Sequence, residues 1–235
     1  IKNLPTQLQK KINFDLKKIT SAKKNFCNFK FNLIPNVIGI LNLTPDSFSD
    51  GGKYNEKNKA LLKARELIKS GCKILDIGGE STRPGSKDVK KKIEWDRVKE
   101  TLRQLKKSKI LISLDTRKST IMRKGISNNV NLINDVSGLN YDSKTISILK
   151  KTGVPFVLNH MKGNPRTMQK NPKYKNVLLD IYDFFEKKIL EIRKKGINHN
   201  NIILDPGIGF GKNLKHNLTI LRGISIFHSL GFPVM

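Results

Sequence analysis

Asn42, Asp76, Asp115, Asn134 and Asp205 each stand at the close of a short apolar run, at 37–41, 74–77, 110–114, 130–133 and 202–204. Asn159 and His160 close another, at 154–158. A carboxylate can accept two parallel N–H bonds, and a carboxamide can donate and accept together. Two Asp and one Asn converging on a point therefore suit a flat, nitrogen-rich heterocycle. Asp115, Asn134 and Asp205 are assigned that role, although any one of them taken singly could instead cap a loop or a helix.

Three glycine-containing loops add reactive groups. Residues 42–52 combine the Asn42 amide with Thr44, Asp46, Ser47 and a terminal Gly51-Gly52. Residues 78–85 combine Ser81 and Thr82 with the Arg83 guanidinium, which suits an oxyanion or an aromatic acid. Both look like mobile covers of a site. Residues 205–212 place three glycines beyond Asp205, so backbone can approach a ligand closely, and Phe210 could pack against an aromatic ring or simply fill the loop core. None of the three has the glycine and lysine spacing of a dinucleotide fingerprint or a P-loop. His160 reads as a hydrogen-bonded structural histidine, and with His199, His216 and His228 it lacks the spacing of a zinc site.

The elements that must bring these residues together are read from periodicity. Near-continuous, β-branched runs describe strands covered on both faces, as in parallel sheets. Between them, residues 60–70 repeat apolar positions at helical intervals and end at Gly71; Val98, Leu102 and Leu105 do the same. A brief helix fits 121–126, a longer one runs from Val177 to Gly196, and another spans 220–227 before Gly231. Strand thus alternates with helix. A doubly wound sheet and a closed barrel share this grammar, but polar groups at every strand end favour the barrel over a fold that gathers its chemistry at one crossover. The predicted fold is α/β, a TIM (β/α)8 barrel over residues 36–235. Six strands are clear and Pro233-Val234-Met235 reads as the start of a seventh, whereas such a barrel takes about 250 residues, so the chain reads as truncated within or just after that strand. Ile1 in place of a starting Met suggests the same of the other end. Residues 1–35 read as a basic, Asn-rich extension in which Phe29, Phe31 and Leu33 could form a short strand.

Lys and Arg number 46 against 19 Asp and Glu, a formal charge of +27. The lysines are spread through nearly every predicted helix and turn and interleaved with Asn instead of aromatic residues, so the charge reads as solvated helix faces. No specific nucleic-acid partner is expected, only nonspecific attraction to phosphate. No apolar block approaches the roughly 20 residues needed to cross a bilayer, and no membrane partner is expected. Cys27 and Cys72 are the only cysteines, which makes neither a disulfide framework nor a zinc cluster and suits a reducing, cytoplasmic location.

Several stretches then carry a resemblance. IGILNLTPDSFSDGG at 38–52 resembles the first signature of the dihydropteroate synthases, and ILDIGGESTRPGS at 74–86 resembles the second. ISLDTRKS, LINDVSG, HMKGNPRTMQ and ILDPGIGFGKN follow in the family's order, so the similarity covers roughly 37–235. The resemblance implies condensation of 6-hydroxymethyl-7,8-dihydropterin pyrophosphate with p-aminobenzoate, with Mg2+ as cofactor and a homodimer as the intact assembly. It implies that Asn42 contacts the metal and the diphosphate, that Asp115, Asn134 and Asp205 hold the pterin, and that Asp76 belongs to the same pocket. Thr82 and Arg83 resemble contacts to the diphosphate and p-aminobenzoate, Pro84 a p-aminobenzoate contact, and Phe210 the ring-packing residue. Asp46 and Phe48 belong to the loop that folds over the reaction centre, and Asp46 joins Asp115 and Asn42 as the catalytic set.

The chain departs from the family at Asn159, where Met is usual, so a pterin contact is expected to differ. Arg117 and Lys118 fall in a variable stretch with no expected bearing on the chemistry. The family's Ser-Arg-Lys and Arg-x-His elements would lie beyond Met235, and a fragment ending there is expected to be inactive although its parent is active. Two other readings are a pterin-binding barrel of the methyltetrahydrofolate methyltransferase type, which would share Asp115, Asn134 and Asp205, and a noncatalytic homologue; the TPDSFSDGG and ESTRPG loops count against the first.

Overall fold

A computed structural model describes residues 4–20, 25–26, 29–30, 35–44, 53–83, 85–163 and 167–235. In chain order the elements are helix α1 (Thr6–Thr20), strands β1 (Asn25–Phe26) and β2 (Phe29–Lys30), β3 (Ile38–Asn42), α2 (Lys53–Lys69), β4 (Ile74–Gly78), α3 (Lys91–Leu105) and β5 (Leu111–Asp115). There follow α4 (Ser119–Ile126), β6 (Leu132–Asp135), α5 (Thr145–Thr152), β7 (Phe156–Asn159), α6 (Val177–Lys194), β8 (Ile202–Asp205) and α7 (Leu214–Arg222). Strands β3 to β8 pair in sequence order and every pairing is parallel. Helices connect successive strands, so the architecture is the repeated βα winding of a TIM barrel, α/β as expected. Beyond β8, Val234 makes a parallel bridge to Leu204, where the seventh strand was read.

The period-2 alternation of strand side chains sorts the core into two sets. Leu41, Leu75, Ile77, Leu114, Phe156 and Leu204 point outward and pack with the apolar stripes of the helices into the main core. Ile74, Leu132, Val157 and Ile203 form a second cluster on the other face, with Ile38 and Leu111 against it, and plug the barrel interior. The residues that follow on this inner face, two positions further along β4 to β8, are the polar ones Asp76, Ser113, Asn134, Asn159 and Asp205, while on β3 Ile40 intervenes before Asn42.

Three differences from the sequence reading have physical reasons. The extension contains α1, which packs against the 3-10 segment Ile224–Leu230; the sequence reading does not include it, because the spacing of Leu8, Ile12, Leu16 and Ile19 is set in a strongly basic stretch. A short strand does occur there at Phe29–Lys30, paired with Asn25–Phe26, while Phe31 and Leu33 lie outside the described residues. The helix expected over 220–227 is divided: α7 stops at Gly223, where the side chain of Leu178 presses so close that a Cβ would sit 2.6 Å from its Cδ1. Helix α5 is absent from the sequence reading although Gly153, left-handed with φ 66°, closes it through a bond from its N–H to the Leu149 carbonyl.

Candidate active site

Strand register decides which polar groups meet. Asn42 is opposite Gly78, Gly78 opposite Asp115, and Asp115 opposite Asn134, so the ends of four strands form one row on the inner face. Gly78 keeps that row open: a Cβ there would stand 3.3 Å from Asn42 Oδ1 and 3.4 Å from Asp115 Oδ2. Asp76 is not at a strand end. It is the third residue of β4, in register with Ile40 and Ser113, and lies one row deeper as part of the pocket floor. Its Oδ2 accepts from Asn134 Nδ2 at 2.9 Å. Asp205, at the end of β8, is opposite Asn159, whose Nδ2 donates to Asp205 Oδ2 at 2.8 Å while the Gly207 N–H donates to Oδ1 at 2.8 Å. The turn that supplies this second donor requires glycine, because Gly207 has φ 69° and a Cβ would lie 2.1 Å from the His160 carbonyl oxygen.

The electrostatics of the row are unbalanced. Burial pushes Asp115 well above the ordinary carboxylate range, and the negative charges of Asp76, Asp135, Glu94 and Glu80 push it further. Burial also raises Asp76, with bonds from Ser113 and Asn134 pulling it part of the way back. Asp205 is raised by burial and, weakly, by Asp76, against the Gly207 and Asn159 bonds and the Lys212 charge. Acids buried in this way favour a ligand that brings N–H donors or positive charge. Asp76 Oδ1, Asn134 Oδ1 and Asn159 Oδ1 are buried acceptors with no partner, where nearly all such atoms are ordinarily satisfied. Asp135 turns to its own loop, where Oδ1 accepts from the N–H and Oγ of Ser137 while Oδ2 is likewise buried without a partner; burial raises it to about 6.

His160 has the structural role read for it. Lys212 Nζ lies 3.0 Å from His160 Nδ1 and donates to the carbonyls of His160 and Phe210, and the ring stands edge-on to Phe184 at 4.9 Å. Burial, then the neighbouring Lys212 charge, lower the imidazole to about 3, so it is neutral and accepts at Nδ1. Burial lowers Lys212 to about 7.

The structure thus brings Asn42, Asp76, Asp115, Asn134 and Asp205 to one interior. Thr82, half-buried, and Arg83, exposed, lie on the loop after β4, and Phe210, half-buried, on the loop after β8; Asp46, Phe48 and Pro84 lie outside the described residues. Two groups carry more than the sequence reading assigns them. Asn159, read at a strand end and as a departure that alters a pterin contact, also holds Asp205. Arg117 and Lys118, set aside as variable, are 7% and 2% exposed and form buried ion pairs with Glu80 and Glu94; nothing in a lone Asp-Thr-Arg-Lys stretch signals that.

Residues 38–235 match the family model described as "Pterin binding enzyme". The dihydropteroate synthase of Escherichia coli strain K12 is 40% identical over 202 residues, which cover 86% of this chain and 71% of that protein. Among solved structures, the dihydropteroate synthase of Yersinia pestis in a sulfonamide drug complex superposes with a TM-score of 0.82 at 39% identity, covering 89% of this chain and 77% of that one. The Xanthomonas albilineans dihydropteroate synthase with 4-aminobenzoic acid gives 0.79 at 35% identity, covering 85% and 71%. Each of the three is a synthase, in line with the first of the sequence readings and not with a methyltransferase.

Proposed function

We propose that this chain, which belongs to the dihydropteroate synthases within the pterin-binding enzymes, uses its row of buried acids to hold the pterin of the reaction that it catalyses. That reaction condenses 6-hydroxymethyl-7,8-dihydropterin pyrophosphate with p-aminobenzoate to 7,8-dihydropteroate and diphosphate, a transferase step of folate biosynthesis. The observation that carries the assignment is the set of partnerless buried acceptors, Asp76 Oδ1, Asn134 Oδ1 and Asn159 Oδ1, beside two carboxylates that burial has raised. A pterin edge, rich in ring and amino N–H groups, satisfies such a lining. Asp115, Asn134 and Asp205 bind it, and Asp76 holds Asn134 in place.

In the reaction the bond between the pterin methylene and the diphosphate oxygen breaks, and the electron pair leaves with diphosphate. The arylamine lone pair then forms the new carbon–nitrogen bond, and the nitrogen loses a proton. Positive charge grows on the methylene and spreads into the pterin. Asp115, at the mouth of the pocket and surrounded by other acids, stabilises it; an ionised carboxylate there is costly until a cation appears, so its benefit falls on the transition state. No protein nucleophile is needed.

The described residues contain no group of three metal-ligating side chains. A hard cation can take a single protein oxygen and complete its shell from substrate phosphate and water. Asn42 Oδ1, at the rim beside Gly78, is the oxygen we assign to Mg2+. When bound, Mg2+ would neutralise charge on the departing diphosphate. Thr82, Arg83 and Pro84 serve the diphosphate and p-aminobenzoate, Phe210 packs on a substrate ring, and Asp46 covers the centre. The barrel domain is taken as residues 36–235 and the extension as 1–35; the compartment is cytoplasmic, in keeping with a buried free Cys72. The exposed Leu214, Leu218 and Leu221 on one face of α7 support a homodimer.

Calorimetric titration with 6-hydroxymethyl-7,8-dihydropterin tests the pocket. Binding that survives Asp205→Asn and Asn134→Leu unchanged would remove the assignment, and an intact parent protein that stays folded yet forms no dihydropteroate from both substrates and Mg2+ would count against the whole reading.

A further inference from the structure

Beneath the loop that follows β4 lies a set of charged side chains with no part in the chemistry above. Arg117, two residues past Asp115, sends Nε to Glu80 Oε2 at 3.0 Å and Nη2 to Asp88 Oδ1 at 2.7 Å, with its guanidinium 4.2 Å from the centre of the Tyr141 ring. Lys118 Nζ bridges Glu80 Oε1 at 2.7 Å and Glu94 Oε2 at 2.5 Å, and Glu94 also accepts from Thr116 Oγ1. Glu80 Oε1 accepts in addition from the Val89 N–H at 2.7 Å. The loop base is pressed onto α3: Arg97 Nη1 donates to the Gly79 carbonyl at 2.8 Å, and a Cβ on Gly79 would stand 2.7 Å from the Glu94 carbonyl oxygen.

Glu80, Glu94, Arg117 and Lys118 are each less than 10% exposed. Buried ion pairs of this kind add little stability over apolar side chains of the same size, because desolvation offsets most of the attraction. What they supply is direction. The two ends of segment 80–89, which carries Thr82 and Arg83, are both tied to a single guanidinium: Glu80 at one end, Asp88 at the other, with Val89 closing back on Glu80.

We propose that Arg117 is a positioning residue for the p-aminobenzoate side of the site, clamping both feet of the 80–89 loop through Glu80 and Asp88. The inference rests on the reading of Thr82 and Arg83 as contacts to p-aminobenzoate and diphosphate. A fork of fixed geometry is required, since a lysine ammonium cannot hold two carboxylates in a set plane.

The test uses the full chain with Arg117→Met, Arg117→Lys and Asp88→Ala. Hydrogen exchange at the Val89 amide reads the clamp. Titration with p-aminobenzoate, after saturation with 6-hydroxymethyl-7,8-dihydropterin and inorganic diphosphate, reads the site. In Arg117→Met, Val89 exchange should accelerate about tenfold or more and p-aminobenzoate affinity fall about tenfold, with dihydropterin affinity held within about twofold. Arg117→Lys should lie between this variant and wild type, and Asp88→Ala should weaken p-aminobenzoate by roughly threefold. Because the Asp88 side chain is half-exposed, that variant keeps the test decisive if Arg117→Met does not fold. Faster Val89 exchange with unchanged p-aminobenzoate affinity would overturn the proposal, as would an equal loss of both ligands. If Arg83→Ala and Thr82→Ala also leave p-aminobenzoate affinity unchanged, the underlying reading of the loop has failed, not the clamp.

Discussion

Two sets of acids lie close together, Asp76 and Asp115 on β4 and β5 and Glu80 and Glu94 on the loop after β4 and on α3, and they are held in opposite ways. Asp76 and Asp115 face the barrel interior without a cation, and burial raises both. Glu80, a few residues past Asp76, is also buried, and burial alone would raise it. Its bonds to Arg117 and Lys118 outweigh that effect and bring it below the ordinary value. The first set has acceptors left over, Asp76 Oδ1 among them, whereas Glu80 has both oxygens occupied. An acid that the fold leaves uncompensated is waiting for something from outside; an acid that the fold compensates is part of the frame.

The largest expected effect lies in the frame. Lys118→Met would leave Glu94 without a cation and Glu80 with Arg117 alone, and breaking a buried pair from one side costs about 3 to 5 kcal/mol. Urea unfolding should show that loss; a change below about 1 kcal/mol would mean that the clamp is not electrostatically tight. Asp115→Asn should do the reverse. Turnover should fall about 100- to 1,000-fold while the unfolding midpoint stays level or rises, because a neutral amide removes an uncompensated buried acid. Equal losses of stability and turnover would erase the distinction between the two sets.

Adjacent glycines offer a finer test. Gly78 faces the row and Gly79 faces α3, and neither has the left-handed φ that would strain a side chain. Gly79→Ala would meet the Glu94 carbonyl oxygen at 2.7 Å and Val98 Cγ1 at 2.9 Å, so stability should drop by about 2 kcal/mol. Gly78→Ala meets only the Asn42 and Asp115 side chains at 3.3 Å and beyond, so the protein should fold and bind dihydropterin several-fold more weakly, read by titration. The smallest effect is expected at Asn159. Its bond lowers Asp205, whose other charged neighbours are Lys212 on its own loop and Asp76 on β4. Pterin binding needs Asp205 ionised and is lost as pH falls through its pKa. In Asn159→Leu that pKa rises, so the acid limb of the binding profile should move to higher pH while affinity near neutrality falls by no more than about twofold. An unmoved limb would limit Asn159 to packing.

Legibility differed between these regions for a physical reason. Asp115, Asn134 and Asp205 were readable because each ends an apolar run, and a strand's end is set by local composition. Asn159 stood in the same kind of position and was recorded only as a departure. Arg117 and Lys118 carried no such signal: whether a cation after a strand lies in water or beneath a loop depends on Glu80 and Glu94, which reach it from two other elements. Helix α1 was illegible for another cause, since its apolar residues are set in a strongly basic stretch and its place is decided by contact with the Ile224–Leu230 segment.

By itself the chain's order of residues determined the alternation of strand and helix, the parallel sheet, and the identity of the acids and amides at the strand ends, because these follow from short-range periodicity. Depth and pairing were decided only by the tertiary structure. It put Asp76 on the pocket floor instead of the rim, gave Glu80 its two cations and left Asp115 with none. Strand register and helix packing set which charges share a dry interior, and no window of neighbouring residues contains that information.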